Sequence, residues 1–305
     1  MDITWGVNAA GTEVTWGSLI AIYLFLAGVA GGAFLTSSLT DLFHKKRPLK
    51  VITSGAYIAP VAIIAGLALL VIDLGRPFSF WKLLFDVNYG SIMSIGVFII
   101  AIFTVLSLIY TYVVWQAAEA AKQVTLTTTG METAATGNSH TDRLRKAIAL
   151  GGAFFAVGLT TYTGFLLSAV YTNTLWSTPF LGKTLPFLPV LFLVSGLSAG
   201  LAATLICSRD CHDLKPYKII DIVLLVIEIM LLLVLYTSAK AVYFTGGMGT
   251  LFWLGVVLIG LLLPLVMAVY GVRSSKNLVI PVCSMVVIGG LCLRIFIVYA
   301  GQLFN

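Results

Sequence analysis

Asp73-Leu74-Gly75-Arg76-Pro77, with Phe78-Ser79-Phe80-Trp81-Lys82 behind it, is the stretch of this sequence best supplied with reactive side chains. One apolar segment precedes it, Val51–Ile72, and another follows, Ser91–Val114. A turn between two such segments needs only residues such as Gly and Asn, so an acid, an arginine and a proline call for a further reason. The loop reads as the rim of a site at one membrane surface. Trp16, Glu13 and Trp81 stand near its level, and Tyr23 and Tyr162 lie within about 10 Å of the same surface at the rise of a helix. A quinone ring needs an apolar pocket with one or two hydrogen-bonding groups that can pass protons, and Tyr and Asp suit that work. The plainer alternative is an interface belt of Tyr and Trp, with Asp73 and Arg76 as a local ion pair that fixes the loop.

A second group of charges lies deeper. Glu228 falls near the middle of one apolar segment, and Arg294 lies about 9 Å from the outer end of another. Asp221 stands two helical turns before Glu228, toward the opposite surface. Charges at such depth are expensive and are usually paired; they mark proton or ion routes, or they pin two helices together as an ion pair. Both readings stay open from residue types alone.

Other chemistries are disfavoured. His44, His140 and His212 all fall in loops, whereas a b-type haem takes axial ligands from facing helices. Cys207-x-x-x-Cys211-His212 lacks the spacing of a metal site and has no second pair; Cys283 and Cys292 lie within an apolar segment. No ferredoxin-type cysteine run occurs, so an iron–sulfur cluster would belong to a partner. No phosphate-binding loop is present to drive an ATP-powered pump.

The elements that hold these groups are membrane helices. The sequence is 59% hydrophobic and 10% charged, against about 25% charged residues in soluble domains, and its mean hydropathy is +1.04. Eight segments are long enough to span, starting at roughly 17, 51, 91, 143, 186, 217, 250 and 279. The first has no basic region before it and no A-x-A-type cleavage site after it, so a removable signal peptide is not expected. The Thr- and Ala-rich stretch Gln116–Thr141 is polar enough to be mobile. The fold class is all-α: a polytopic membrane protein of eight transmembrane helices in two four-helix bundles.

Loop charges orient it. Loops after spans one, three, five and seven hold thirteen Lys and Arg residues, and the opposite loops hold four, Arg76, Lys82, Lys183 and Lys240. The positive-inside rule puts the thirteen in the cytoplasm and both termini outside, periplasmic for a cytoplasmic (inner) membrane. The net charge of +6 then serves orientation; no basic patch interleaved with aromatics suggests nucleic acid. An internal repeat supports two halves. Leu24-Phe25-Leu26 precedes Gly28-x-x-x-Gly32, and Leu191-Phe192-Leu193 precedes Gly196-x-x-x-Gly200. Small residues four apart let helices approach closely in lipid. The expected division is 1–145 (spans one to three, outer loop 73–90 and cytoplasmic loop 116–145), 146–185 (span four and a linker) and 186–305 (the second bundle).

Several segments together resemble one family. They are Ile20–Gly28, the Asp73…Arg76-Pro77 loop with Phe80-Trp81-Lys82-Leu83, Ser91–Gly96, Tyr162–Ser168, Leu188–Gly196, Gly289–Arg294 and Tyr299–Gln302. In order and spacing they resemble the NrfD/polysulfide-reductase membrane subunits. The resemblance implies a haem-free, quinone-binding subunit using menaquinone or ubiquinone, with no iron–sulfur cluster of its own. It also implies a four-cluster, ferredoxin-like iron–sulfur partner, often joined by a molybdopterin or multihaem catalytic subunit on the outer face. Tyr162 matches the family's tyrosine that contacts the ring. Some members carry Asn and His near the start of span one, where this sequence has Glu13, Trp16, Gly17 and Ser18. Phe78, Phe80 and Trp81 would shape the pocket wall and the docking surface. The rival functions are a secondary transporter or proton-conducting subunit, and a purely structural anchor.

Overall fold

A computed structural model describes residues 17–43, 48–73, 92–127, 139–170, 175–179, 186–211, 214–274 and 278–303. Among the described residues, eight helices are long and apolar enough to cross a membrane. They are α1 (Ser18–Phe43), α2 (Leu49–Asp73), α3 (Ile92–Thr127), α4 (Ser139–Ser168), α5 (Leu188–Cys207), α6 (Lys215–Ser238), α7 (Gly246–Arg273) and α8 (Val279–Leu303). A 3₁₀ turn, Ala241–Phe244, leads into α7. The protein is therefore an all-α, multi-pass membrane protein.

Two differences from the sequence reading concern helix extent and regularity. α3 continues through Gln116 to Thr127, and α4 begins at Ser139. Gln, Ala, Glu and Lys in 116–122 are good helix formers, so a polar composition there prolongs the helix beyond its apolar part. Within α7, Leu251–Leu262 is a π-helix and Leu263–Arg273 is α-helical. Pro264 has no N–H to offer the carbonyls before it, and the π-helical segment ends just ahead of it, where Leu263 N–H still reaches Leu258 O.

Pro60 interrupts α2 in the same manner, leaving the Ala56 carbonyl without its helical donor. Thr111 of α3 supplies one: its hydroxyl lies 2.6 Å from Ala56 O and 2.7 Å from Ser107 O. In an apolar medium such a carbonyl must find a partner inside the protein.

α1 and α5 form the centre. α1 packs against α2, α4, α5 and α8, and α5 against α1, α2, α4, α6 and α8. The Gly-x-x-x-Gly motifs of the two repeats meet each other. A methyl added at Gly28 would stand 3.4 Å from the Cα of Gly196, and one at Gly200 would stand 2.5 Å from the Cα of Gly32. Only glycine permits this backbone approach, and dispersion between the two backbones holds the seam. Most other neighbours pair off by repeat: α1·α2 with α5·α6, α2·α3 with α6·α7, α1·α4 with α5·α8, α3·α4 with α7·α8, and α4·α5 with α1·α8, whereas the α2·α5 packing has no comparable α1·α6 counterpart. Between α4 and α5, Trp176 is buried and its indole donates to Ile297 O at 2.8 Å, tying that connection to α8.

Candidate functional site

The first candidate site lies where the N-terminal end of α1 meets the C-terminal ends of α2 and α4. Tyr23 sits five residues into α1, Tyr162 six residues before the end of α4, and Asp73 is the last residue of α2. At about 1.5 Å per residue both phenols lie within ~10 Å of that surface. Tyr23 is in electrostatic reach of both Asp73 and Tyr162, so three residues far apart in sequence converge. Tyr23 is half-buried, Tyr162 is 9% exposed, and Asp73 is exposed at the rim. The group can present phenolic hydrogen bonds within an apolar wall and carry a proton to a carboxylate at the surface. Arg76, Trp16, Glu13, Phe78, Phe80 and Trp81 lie outside the described residues.

A fourth participant, Gly96 of α3, was not a candidate from sequence. The Tyr162 ring lies across it, and a methyl there would overlap Cζ, Cε2 and Oη. A single glycine in an apolar run gives no sign of which helix faces it.

The second group is buried in the other repeat. Asp221 is 2% exposed, Glu228 4% and Arg294 1%. Glu228 and Arg294 lie at similar depth, ten residues from the end of α6 and nine from the end of α8. They interact electrostatically, yet the guanidinium does not close an ion pair with the carboxylate. Ser195 of α5 lies beside the Glu228 carboxylate instead, and the two line one small cavity. Arg294 Nη2 donates to Phe192 O at 3.1 Å, and the guanidinium carbon stands 3.7 Å from the centroid of the Phe192 ring. Its Nη2 also reaches the glycine seam, where a methyl on Gly28 would stand 3.5 Å away.

A third cluster was missed. Asp41, near the end of α1, and Arg145, near the start of α4, form an ion pair with Nε 3.1 Å from Oδ2, and the Asp41 side chain is 1% exposed. Tyr110 Oη donates toward the same Oδ2 at 3.5 Å, and Ser37 Oγ stands 3.4 Å from Tyr110 Oη and donates to Ile52 O at 2.6 Å. This network joins α1, α2, α3 and α4 at the basic end. The signal available was an acid closing an apolar span, which is costly unless paired.

Among the described residues, no three His, Cys, Asp or Glu side chains stand together as a metal site, and Cys207, Cys211, Cys283 and Cys292 are all free thiols.

Eight apolar helices among the described residues and a glycine seam between two of them define a class: polytopic helical membrane proteins. The sequence matches the family model described as "Polysulphide reductase, NrfD" over residues 6–305, and the protein belongs to that family. It is 33% identical to the C subunit of the polysulfide reductase of Wolinella succinogenes, over 100% of this protein and 99% of the relative. It is 33% identical to the protein NrfD of Escherichia coli, over 95% of this protein and 96% of the relative. A more distant relative, 24% identical over 87% of this protein and 65% of its own length, is the Hdr-like menaquinol oxidoreductase integral membrane subunit of Archaeoglobus fulgidus.

Proposed function

We propose that this protein is the membrane subunit of a respiratory oxidoreductase complex. In this reading it oxidises a quinol, menaquinol or ubiquinol, near the outer face and passes the electrons to an iron–sulfur partner that feeds a terminal reductase. The observation that carries the proposal is the convergence of Tyr23, Tyr162 and Asp73 from three helices at one surface. Family membership and the names of the relatives support it.

Oxidation of one quinol releases two protons and two electrons, and the redox chemistry belongs to the quinol. The protein's own part is positioning and proton acceptance. Tyr162, held by its contact with Gly96, orients one oxygen of the ring; Tyr23 stands within electrostatic reach of it; Asp73 takes protons toward the surface. Arg76, Glu13 and Trp16 would complete the rim, and Phe78, Phe80 and Trp81 would form the pocket wall and docking surface.

The partners in this reading are a four-cluster, ferredoxin-like subunit and a molybdopterin or multihaem catalytic subunit, both on the outer face. The protein lies in the inner membrane with both termini periplasmic, and α1–α4 and α5–α8 act as two bundles.

The test is oxidation of a quinol analogue by the purified complex carrying Tyr162→Phe or Asp73→Asn, with subunit assembly followed in parallel. Slowed turnover in assembled complexes is expected. Unchanged turnover in both variants would leave a structural anchor. Impermeant labelling of a tag at Asn305 reads the orientation: labelling before lysis is expected, and labelling only after lysis would reverse it.

A further inference from the structure

Buried polar atoms recur along α5–α8, and these helices border two small cavities beside Asp221 and Glu228. The first cavity, about 20 Å³, is lined by Lys218, Asp221, Ala268, Val279, Val282 and Cys283, near the basic end of α6. The second, about 10 Å³, is lined by Ser195, Ser198, Glu228, Gly260, Val286 and Gly289. A cavity holds one water at roughly 10–15 Å³ of this measure when polar partners are present.

Partners are present in both. Asp221 Oδ1 and Ser198 Oγ are buried with no hydrogen-bond partner in the protein, and so are Nε and Nη1 of Arg294. Buried polar atoms of this kind are normally satisfied, by bound water where the protein offers nothing. Asp221 and Glu228 are seven residues apart on the buried face of α6, about 10 Å along the axis. Val282 in the first cavity and Val286 in the second are one turn apart on α8. The second cavity also borders the π-helical part of α7, a backbone form that recurs at functional sites.

We propose that α5–α8 hold a one-sided, hydrated proton path. It opens at the basic end beside Lys218 and Asp221, leads to Glu228 as a site that binds and releases a proton, and stops at Arg294. The guanidinium closes the outer end because a fixed positive charge repels a proton, and its stacking on Phe192 holds it there. The groups facing Glu228 are Asp221 on its own helix, Arg294 from α8, and the hydroxyls of Ser195 and Ser198 from α5. Those facing Asp221 are Lys218 and Cys283. A permanent Glu228–Arg294 ion pair would need neither the Ser195 contact nor the cavity beside the carboxylate. The step is proton exchange with bulk water, so no electrons move, and it requires no quinone.

The test is infrared difference spectroscopy on the purified complex in proteoliposomes, with pH stepped on one side at a time. Wild type should show a carboxylic-acid C=O band that is absent in Glu228→Gln, shifts in D₂O, and responds to steps on the basic side alone. Asp221→Asn should slow deuterium exchange of that band by about a hundredfold, the lower end of what a positioned proton carrier contributes. If Glu228→Gln fails to assemble, Glu228→Asp should shift the band. A Glu228 that gives no protonated signal, a band that responds equally from both sides, or normal exchange in Asp221→Asn would overturn the proposal.

Discussion

The Tyr162 ring rests across Gly96, so α3 positions a phenol of α4 by having no side chain at that point. Gly96→Ala must push the ring aside, and overpacking of this kind destabilises by about 1–3 kcal/mol. Quinol oxidation should fall in an assembled complex, with the KM for a quinol analogue rising as the phenol moves. Gly151→Ala is the control. Nothing lies within 4 Å of the added methyl, and a mid-helix Gly→Ala change should stabilise by about 0.5–1 kcal/mol.

Thr111→Val should remove the donor that compensates for Pro60. The Ala56 carbonyl then stays buried without a partner, which costs about 1–3 kcal/mol. Thermal unfolding in detergent measures the loss, and the double variant Pro60→Ala with Thr111→Val should recover most of it, because α2 then supplies its own N–H.

Arg145→Met should be more harmful than its place near a membrane surface suggests. The Asp41 carboxylate would lose its cation at 1% side-chain exposure, and breaking a buried pair from one side costs about 3–5 kcal/mol. Asp41→Asn combined with Arg145→Met should be far milder. Chemical unfolding of the two variants gives the comparison, and equal losses would show that Asp41 draws its stability from Tyr110 instead.

Gly200→Ala should part α1 from α5. The new methyl would stand 2.5 Å from the Cα of Gly32, and both sides of that contact are backbone and cannot rotate away. Assembly yield and unfolding midpoint should both drop, more than for Gly17→Ala, where nothing lies within 4 Å.

Much of the protein was legible in one dimension. Eight spans, the paired Gly-x-x-x-Gly motifs, and the common level of Tyr23, Tyr162 and Asp73 follow from hydropathy and helical rise. Those quantities depend on position along the sequence alone. Which way each helix faces is a different matter. In a soluble protein an apolar stripe against a polar face gives that answer. Here lipid and interior are equally apolar, so a segment such as Leu251–Leu262 carries no such stripe.

Tertiary structure therefore decided Gly96 against Tyr162, Thr111 against the carbonyl freed by Pro60, and Asp41 against Arg145. It also decided that Arg294 turns its guanidinium to Phe192 and the glycine seam, leaving Glu228 to Ser195 and a cavity. Sequence put Glu228 near the middle of its span and Arg294 nearer the end of its own, and the structure brings them to similar depth. Only the packed azimuths of α5, α6 and α8 determine whether charges at one depth meet.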